Sequence, residues 1–235
     1  MNIAVIFAGG VGKRMGSDQI PKQFLEAQGR PIIVHTLAHF QESPEVDLIV
    51  ISCVAGWIDY MNRLVERYAL TKVAQVVPGG ETGQLSIWNG LQAAERYARG
   101  DDIVLIHDGV RPLISRELIS RNIAEARTYG SCITCVPVIE TIVQTADASA
   151  IDRVYERDPM MVAKAPQTFR LADILAAHRW ALDRGVTNSI DSCTLMADYG
   201  AKLHMTRGDY KNIKITTPID YAMFKAILEA ESDDA

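Results

Sequence analysis

Ile3–Ala8, IAVIFA, is an unbroken apolar run that ends at Gly9-Gly10-Val11-Gly12-Lys13-Arg14-Met15. So short a run, closed by glycines, suits a strand buried on both faces rather than a helix. Working outward, helical patterns at Ile32–Phe40 and Gly56–Tyr68 flank an apolar strand at Leu48–Cys53. A strand at Lys72–Val77 is stopped by Pro78-Gly79-Gly80, and a helix at Ser86–Tyr97 leads to a strand at Ile103–His107 that ends in Asp108. Glu117–Tyr129 is again helical and Ser131–Pro137 again strand-like. This β-α alternation predicts an α/β fold, a Rossmann-like, mostly parallel sheet with helices on both faces. Ligands of such sheets bind at the carboxyl ends of the strands, which places Gly9–Met15, Gly79–Ser86 and His107–Arg111 on one rim.

Between Glu140 and Ala163 the alternation breaks into short β-like pieces, TIVQT and RVY, separated by turn formers. This segment is expected to project as a β arm. The regular pattern resumes with helices at Leu171–Arg184 and around Asp191–Tyr199, where Asp191 reads as an N-cap. A strand at Ala201–Thr206 and a helix after Pro218 complete the chain. No linker or low-complexity stretch divides residues 1–235, so one domain is expected, with 140–163 as its dimerisation arm.

Composition narrows the function classes. With 24 Lys+Arg against 29 Asp+Glu the chain is mildly acidic and lacks the clustered basic face of a nucleic-acid binder. No apolar run approaches the roughly 18–20 residues that span a bilayer, and no signal-peptide layout precedes the first strand. A cytoplasmic protein with neither nucleic acid nor membrane as partner is expected. Cys132 and Cys135 form a C-x-x-C, but residues three apart on a strand face opposite ways, so they read as small buried thiols. His35 and His39 have i,i+4 spacing, yet Thr36 stands where a zinc protease has Glu, and they read as ordinary helix surface.

Glycines after a first strand let backbone N–H groups approach phosphate. Two familiar loops do not fit. A P-loop requires Ser or Thr after Gly-Lys, and Arg14 follows Lys13; the dinucleotide fingerprint wants glycine where Met15 stands. What remains is a glycine loop followed by two cations, Arg14 and Lys22, suited to a triphosphate. Taken alone, Asp108 is equally a capping group at a strand end, and Lys214, between Ile213 and Ile215, the exposed face of an amphipathic strand.

The run GGVGKRMGSDQIPKQFLEAQGRPIIVHTL, then Gly79-Gly80 with Ser86, HDGVRP at 107–112, ERDPMMVAKAPQTF at 156–169, SIDSCTL at 189–195 and DYKNIKITTPID at 209–220 resemble the polyol-phosphate cytidylyltransferase family. The blocks cover almost the whole chain in unbroken order. The resemblance implies attack of a polyol phosphate on the α-phosphorus of CTP, with release of pyrophosphate. Arg14, Lys22 and Lys214 would then meet the triphosphate and the α-phosphate. Asp108 would hold Mg2+, for which Mn2+ could substitute. Ala8, Gly9, Gly10, Gly12, Gly80 and Ser86 would hold the nucleotide and read cytosine. Thr141 and Arg157 would bind the polyol phosphate from a neighbouring subunit of a homodimer. RDPMM, APQTF, DSCT and the Met15–Pro21 spacer are closer to the branch that uses ribitol 5-phosphate than to the one that uses 2-C-methyl-D-erythritol 4-phosphate. A sugar-phosphate nucleotidyltransferase using UTP or GTP fits HDGVRP and APQTF less well. A silent nucleotide-binding module would be marked by loss of Lys22, Asp108 or Lys214, and all three are present. One departure stands out: GGETGQLS carries Gly83 where family members often have Arg, with Gln84 beside it as a possible substitute.

Overall fold

A computed structural model describes residues 1–10 and 20–233. Its strands are β1 (Asn2–Ala8), β2 (Glu26–Ala27), β3 (Arg30–Pro31), β4 (Leu48–Cys53), β5 (Val73–Pro78), β6 (Ile103–Asp108), β7 (Ser131–Pro137), β8 (Val143–Gln144), β9 (Arg153–Val154), β10 (Met161–Arg170) and β11 (Met205–Arg207). The helices are α1 (Ile32–Glu42), α2 (Ile58–Arg67), α3 (Gly83–Ala94), α4 (Arg116–Tyr129), α5 (Leu171–Asp183), α6 (Ser192–Asp198) and α7 (Pro218–Asp233). Seven strands form one sheet in the order β11-β7-β10-β6-β1-β4-β5, which makes β1 and its neighbours central.

The apolar run of β1 is buried on both faces as its sequence demands. Ala4, Ile6 and Ala8 join the core under α1 and α4, while Ile3 and Val5 join the core under α3 and α5. A fully buried aliphatic side chain of this kind contributes about 1.5–3 kcal/mol. The C-x-x-C behaves in the same way: Cys132 lies in the first core and Cys135 in the second. Both thiols are free, and burial pushes the Cys132 thiol up to about 12. A third apolar cluster seats α7 through Phe224 against Ile32, Val110, Leu113 and Ile215.

The sheet is mostly parallel, with one reversal. β10 pairs antiparallel with both β6 and β7, and Phe169 on it is completely buried between them. Its first residues, Met161–Ala163, were expected to belong to the projecting arm; they pair with Val136 and its neighbours and are part of the sheet. The arm is therefore shorter, built around the two-residue ladder of β8 and β9. The ladder register of β10 shifts between Ala163 and Gln167. The residues around Ile213-Lys214-Ile215 are not a strand, and the expected strand at Ala201–Thr206 is the shorter β11. His35 and His39 are not plain surface: their Nε2 atoms meet the carbonyls of Ala27 at 2.9 Å and Pro112 at 3.0 Å. Burial lowers both pKa values.

Candidate active site

The carboxyl ends of β1, β5 and β6 meet at one rim. Phe7 of β1 and Asp108 of β6 are register partners. Gly9 and Gly79 approach so closely that a Cβ on Gly79 would lie 2.9 Å from the Gly9 Cα. Ser86, in the second turn of α3, locks the Gly79-Gly80 turn: its Oγ accepts from the Gly80 N–H at 3.0 Å and donates to the Thr82 carbonyl at 2.9 Å. Thr82 caps α3 by accepting from the Leu85 N–H at 3.1 Å.

Asp108 is the electrostatic centre of the rim. Arg111 Nε donates to its Oδ2 at 2.7 Å, and Lys214 Nζ reaches its Oδ1 at 2.6 Å. Burial alone would raise the pKa of this carboxyl. The charges of Arg111 and Lys214 and their hydrogen bonds outweigh that and hold it far below the usual carboxylate range. Arg111 is fixed from behind by the Asn212 carbonyl, to which its Nη1 donates at 3.0 Å. Lys164, freed by the register shift in β10, donates to that carbonyl at 3.2 Å and to those of Asp209 and Tyr210. Lys22 Nζ donates to the Ile215 carbonyl at 2.8 Å, which brings it to the segment that carries Lys214. Gln23 Nε2 donates to the Ala8 carbonyl at 2.7 Å and ties that turn to the end of β1. Two cations on one ionised carboxylate leave an excess of positive charge facing solvent, a surface suited to phosphate.

Two cavities of roughly 280 Å³ each open on either side of this pair and share Phe7, Gly83, Asp108 and Lys214. The first is lined by Ala8, Gly9, Gly10, Lys22, Gly80 and Ser86. The second runs beneath α5 and α6 past Arg111, Lys164, Gln167, His178, Asp191 and Ser192. Of the site residues expected from sequence, the rim thus brings together Ala8, Gly9, Gly10, Lys22, Gly80, Ser86, Asp108 and Lys214. Gly12 and Arg14 lie outside the described residues. Thr141 and Arg157 line neither cavity; both are exposed on the arm, where Arg157 Nη1 donates to the Ile139 carbonyl at 3.2 Å. Asp191 caps α6 by accepting from the Thr194 N–H at 2.8 Å, the role its sequence position suggested. Arg111 was not singled out from sequence, although its place three residues after Asp108 in HDGVRP was the available signal. Lys164 had a signal in the ERDPMMVAKAPQTF block and Gln84 in its place beside Gly83, whereas His178 carried none.

The residues fit a Mg2+ ion that is held mainly by phosphate. Among the described residues no three His, Cys, Asp or Glu side chains are grouped to cage a metal. Among the described residues Asp108 is the one carboxylate that borders both cavities, and each of its oxygens keeps a second lone pair beyond the one spent on a cation. One carboxylate plus substrate phosphates is an ordinary Mg2+ set.

A mostly parallel sheet with a glycine-lined cavity, an anchored carboxylate and converging cations defines a nucleotidyltransferase. The chain belongs to the family described as IspD: 2-C-methyl-D-erythritol 4-phosphate cytidylyltransferase, which it matches over residues 2–230. It is 54% identical over 234 residues to a ribitol-5-phosphate cytidylyltransferase of Streptococcus agalactiae serotype III, covering 100% of this chain and 98% of the relative. It is 40% identical to a 2-C-methyl-D-erythritol 4-phosphate cytidylyltransferase of Geotalea uraniireducens, covering 98% of each chain. The solved structure of 4-diphosphocytidyl-2C-methyl-D-erythritol synthase from Anaerococcus prevotii superposes with a TM-score of 0.82 at 28% identity, covering 97% of this chain and 96% of that one.

The Gly83 departure now has a physical description. Gln84 is neutral and no substitute for a cation, and its amide is turned toward the loop before α6: Nε2 donates to the Val186 carbonyl at 2.8 Å and Oε1 accepts from the Ser189 N–H at 2.7 Å. Among the described residues, a Cβ on Gly83 would meet nothing within 4 Å. Gly83→Arg is therefore expected to fold normally and to lower KM for CTP by about 3- to 10-fold, the effect of roughly one partly exposed charge-assisted hydrogen bond. An unchanged or higher KM for CTP in steady-state assays would show that this position does not face the triphosphate.

Proposed function

We propose that this enzyme transfers a cytidylyl group from CTP to D-ribitol 5-phosphate, giving CDP-ribitol and pyrophosphate. The observation that carries the reading is the shared Asp108–Lys214 wall between two cavities, one glycine-lined and one lined by polar groups. CTP occupies the glycine-lined cavity and the polyol phosphate the other, so that nucleophile and α-phosphorus meet at Lys214. An oxygen of the acceptor phosphate attacks the α-phosphorus, a new P–O bond forms, and the bond to the bridging oxygen of pyrophosphate breaks. No general base is needed, since a phosphate monoester is already anionic near neutral pH. Positioning and charge neutralisation therefore do the catalysis, through Lys22 and Lys214, with Arg14 added from the glycine loop. Asp108 would hold Mg2+, which when bound orients the phosphates and withdraws charge from them. Ribitol 5-phosphate is favoured because relatives named for it are 54% and 48% identical, against 40% for one named for methylerythritol phosphate.

The reading extends to a homodimer. The arm carries Val143, Ile151 and Val154 exposed, Ile151 at 64%, and a two-stranded ribbon of this length is marginal alone in water. A two-fold partner would cover it twice over. Thr141 and Arg157 would then complete the partner's acceptor cavity. No helix among the described residues is long and apolar enough to cross a membrane.

The direct test crosses CTP, UTP and GTP with ribitol 5-phosphate and 2-C-methyl-D-erythritol 4-phosphate and measures pyrophosphate release. CTP with ribitol 5-phosphate is expected to give the highest kcat/KM, to be abolished by chelation, and to fall far more in Asp108→Ala than in the surface variant Asp183→Ala. Equal rates with UTP, or turnover that survives chelation, would contradict the reading. The dimer is tested by refolding Lys22→Ala and Arg157→Ala subunits together. About half the dimers should be mixed, each with one intact site, so about a quarter of wild-type activity should return. A mixture that stays inactive despite proven subunit exchange would place Arg157 outside the partner's site.

A further inference from the structure

The acceptor-side cavity has a polar floor with unspent hydrogen-bonding capacity. His178 on α5 is 1% exposed and Ser192 at the start of α6 is 2% exposed, and both line this cavity. Among the described residues, neither ring nitrogen of His178 has a partner, and neither does Ser192 Oγ. Buried polar groups are nearly always satisfied, so two orphaned side chains on one cavity wall call for a ligand. Their polar neighbours are already committed. Gln84 is spent on Val186 and Ser189, while Gln167 donates to Asp191 Oδ2 at 2.8 Å and accepts from the Cys193 N–H at 2.8 Å. Apolar side chains of Ile87, Ile106 and Leu195 line the same cavity. His178 lies flat against Trp88, with ring centroids 5.7 Å apart and planes 18° apart, an arrangement that fixes the ring and leaves its nitrogens at the edge.

We propose that His178 and Ser192 hydrogen-bond the hydroxyl chain of the polyol phosphate and so set which acceptor the enzyme takes. This rests on the reading of the cavity as the acceptor site. The cavity's lining matches the two parts of such a molecule: Arg111, Lys164 and Lys214 supply cations for a phosphate, and His178 and Ser192 supply neutral polar groups for hydroxyls. Burial pulls the His178 pKa down to about 4, so the ring is neutral at working pH. A neutral imidazole offers one donor and one acceptor, the complement of a hydroxyl, whereas a cation would favour a second anion.

The experiment is steady-state pyrophosphate release by His178→Leu, His178→Gln and Ser192→Ala, with KM measured separately for ribitol 5-phosphate and CTP. His178→Leu and Ser192→Ala are each expected to raise KM for ribitol 5-phosphate about tenfold or more, because the hydroxyls then lose their partners. KM for CTP should stay within about twofold, and His178→Gln should recover part of the loss. If His178→Leu does not fold, Ser192→Ala, which only removes an oxygen, decides the matter. Unchanged KM for ribitol 5-phosphate would overturn the assignment and leave the orphaned atoms to buried water. A parallel rise in both KM values would also overturn it, showing a purely structural role. Wild-type protein that releases no pyrophosphate from CTP and ribitol 5-phosphate would overturn the functional reading itself, and this assignment with it.

Discussion

Asp108 is held by two cations at the end of a central strand, and the rest of the site is arranged around that clamp. A carboxylate this buried is costly unless paired, and breaking such a pair on one side leaves an uncompensated charge. Arg111 comes from the turn after the same strand, Lys214 from a segment more than a hundred residues later. Their convergence therefore requires that β6, β10 and the chain before α7 be correctly assembled. The clamp also gives the site its sign. It presents two cations against one carboxylate to the acceptor-side cavity, while Lys22 adds a cation beside Lys214 in the glycine-lined one, and it keeps a carboxylate ionised where a polyphosphate-bound metal would need one.

A second set of ties links the two cavities. Thr82 caps α3, and its Oγ1 also donates to the Thr187 carbonyl at 2.5 Å; Gln84 bonds Val186 and Ser189. The loop before α6 is thus hung on the first turn of the helix that borders the glycine-lined cavity. In the proposed reaction this couples the walls of the nucleotide and acceptor sites through short hydrogen bonds, with no moving part required. Gly83 lies beside these ties, and a Cβ there would meet none of the described residues within 4 Å.

Much of this was legible in the sequence, and what was not has physical reasons. β1 declares itself because both of its faces are buried, so nothing interrupts its apolar run. The rim follows, since parallel order forces the strand ends to one side. The opposed cores of Cys132 and Cys135 follow from the two-residue period alone. β10 does not declare itself: Lys164 and Pro166 interrupt it, and its first residues are exposed where the arm begins, so Met161–Ala163 read as arm. Ile213-Lys214-Ile215 has strand alternation, yet Ile215 donates its N–H to the Val110 carbonyl at 2.9 Å in an irregular crossing. His39 looked like surface because the Pro112 carbonyl it meets is distant in sequence, and His35 because the Phe224 ring packed against it is distant too. His178 was invisible for a related reason. A polar residue on a helix carries no local mark of the cavity that tertiary packing will close over it.

The central claim is that the cations around Asp108 act on the charge that develops at the α-phosphorus, not merely on bound CTP. It is tested most directly by rapid-quench single-turnover kinetics of Lys214→Ala with CTP and ribitol 5-phosphate, with CTP affinity obtained from the same titration. The account predicts a chemical step slowed by about 100-fold or more, with CTP binding weakened by much less. A near-normal chemical step at saturating CTP, with the loss confined to affinity, would contradict it.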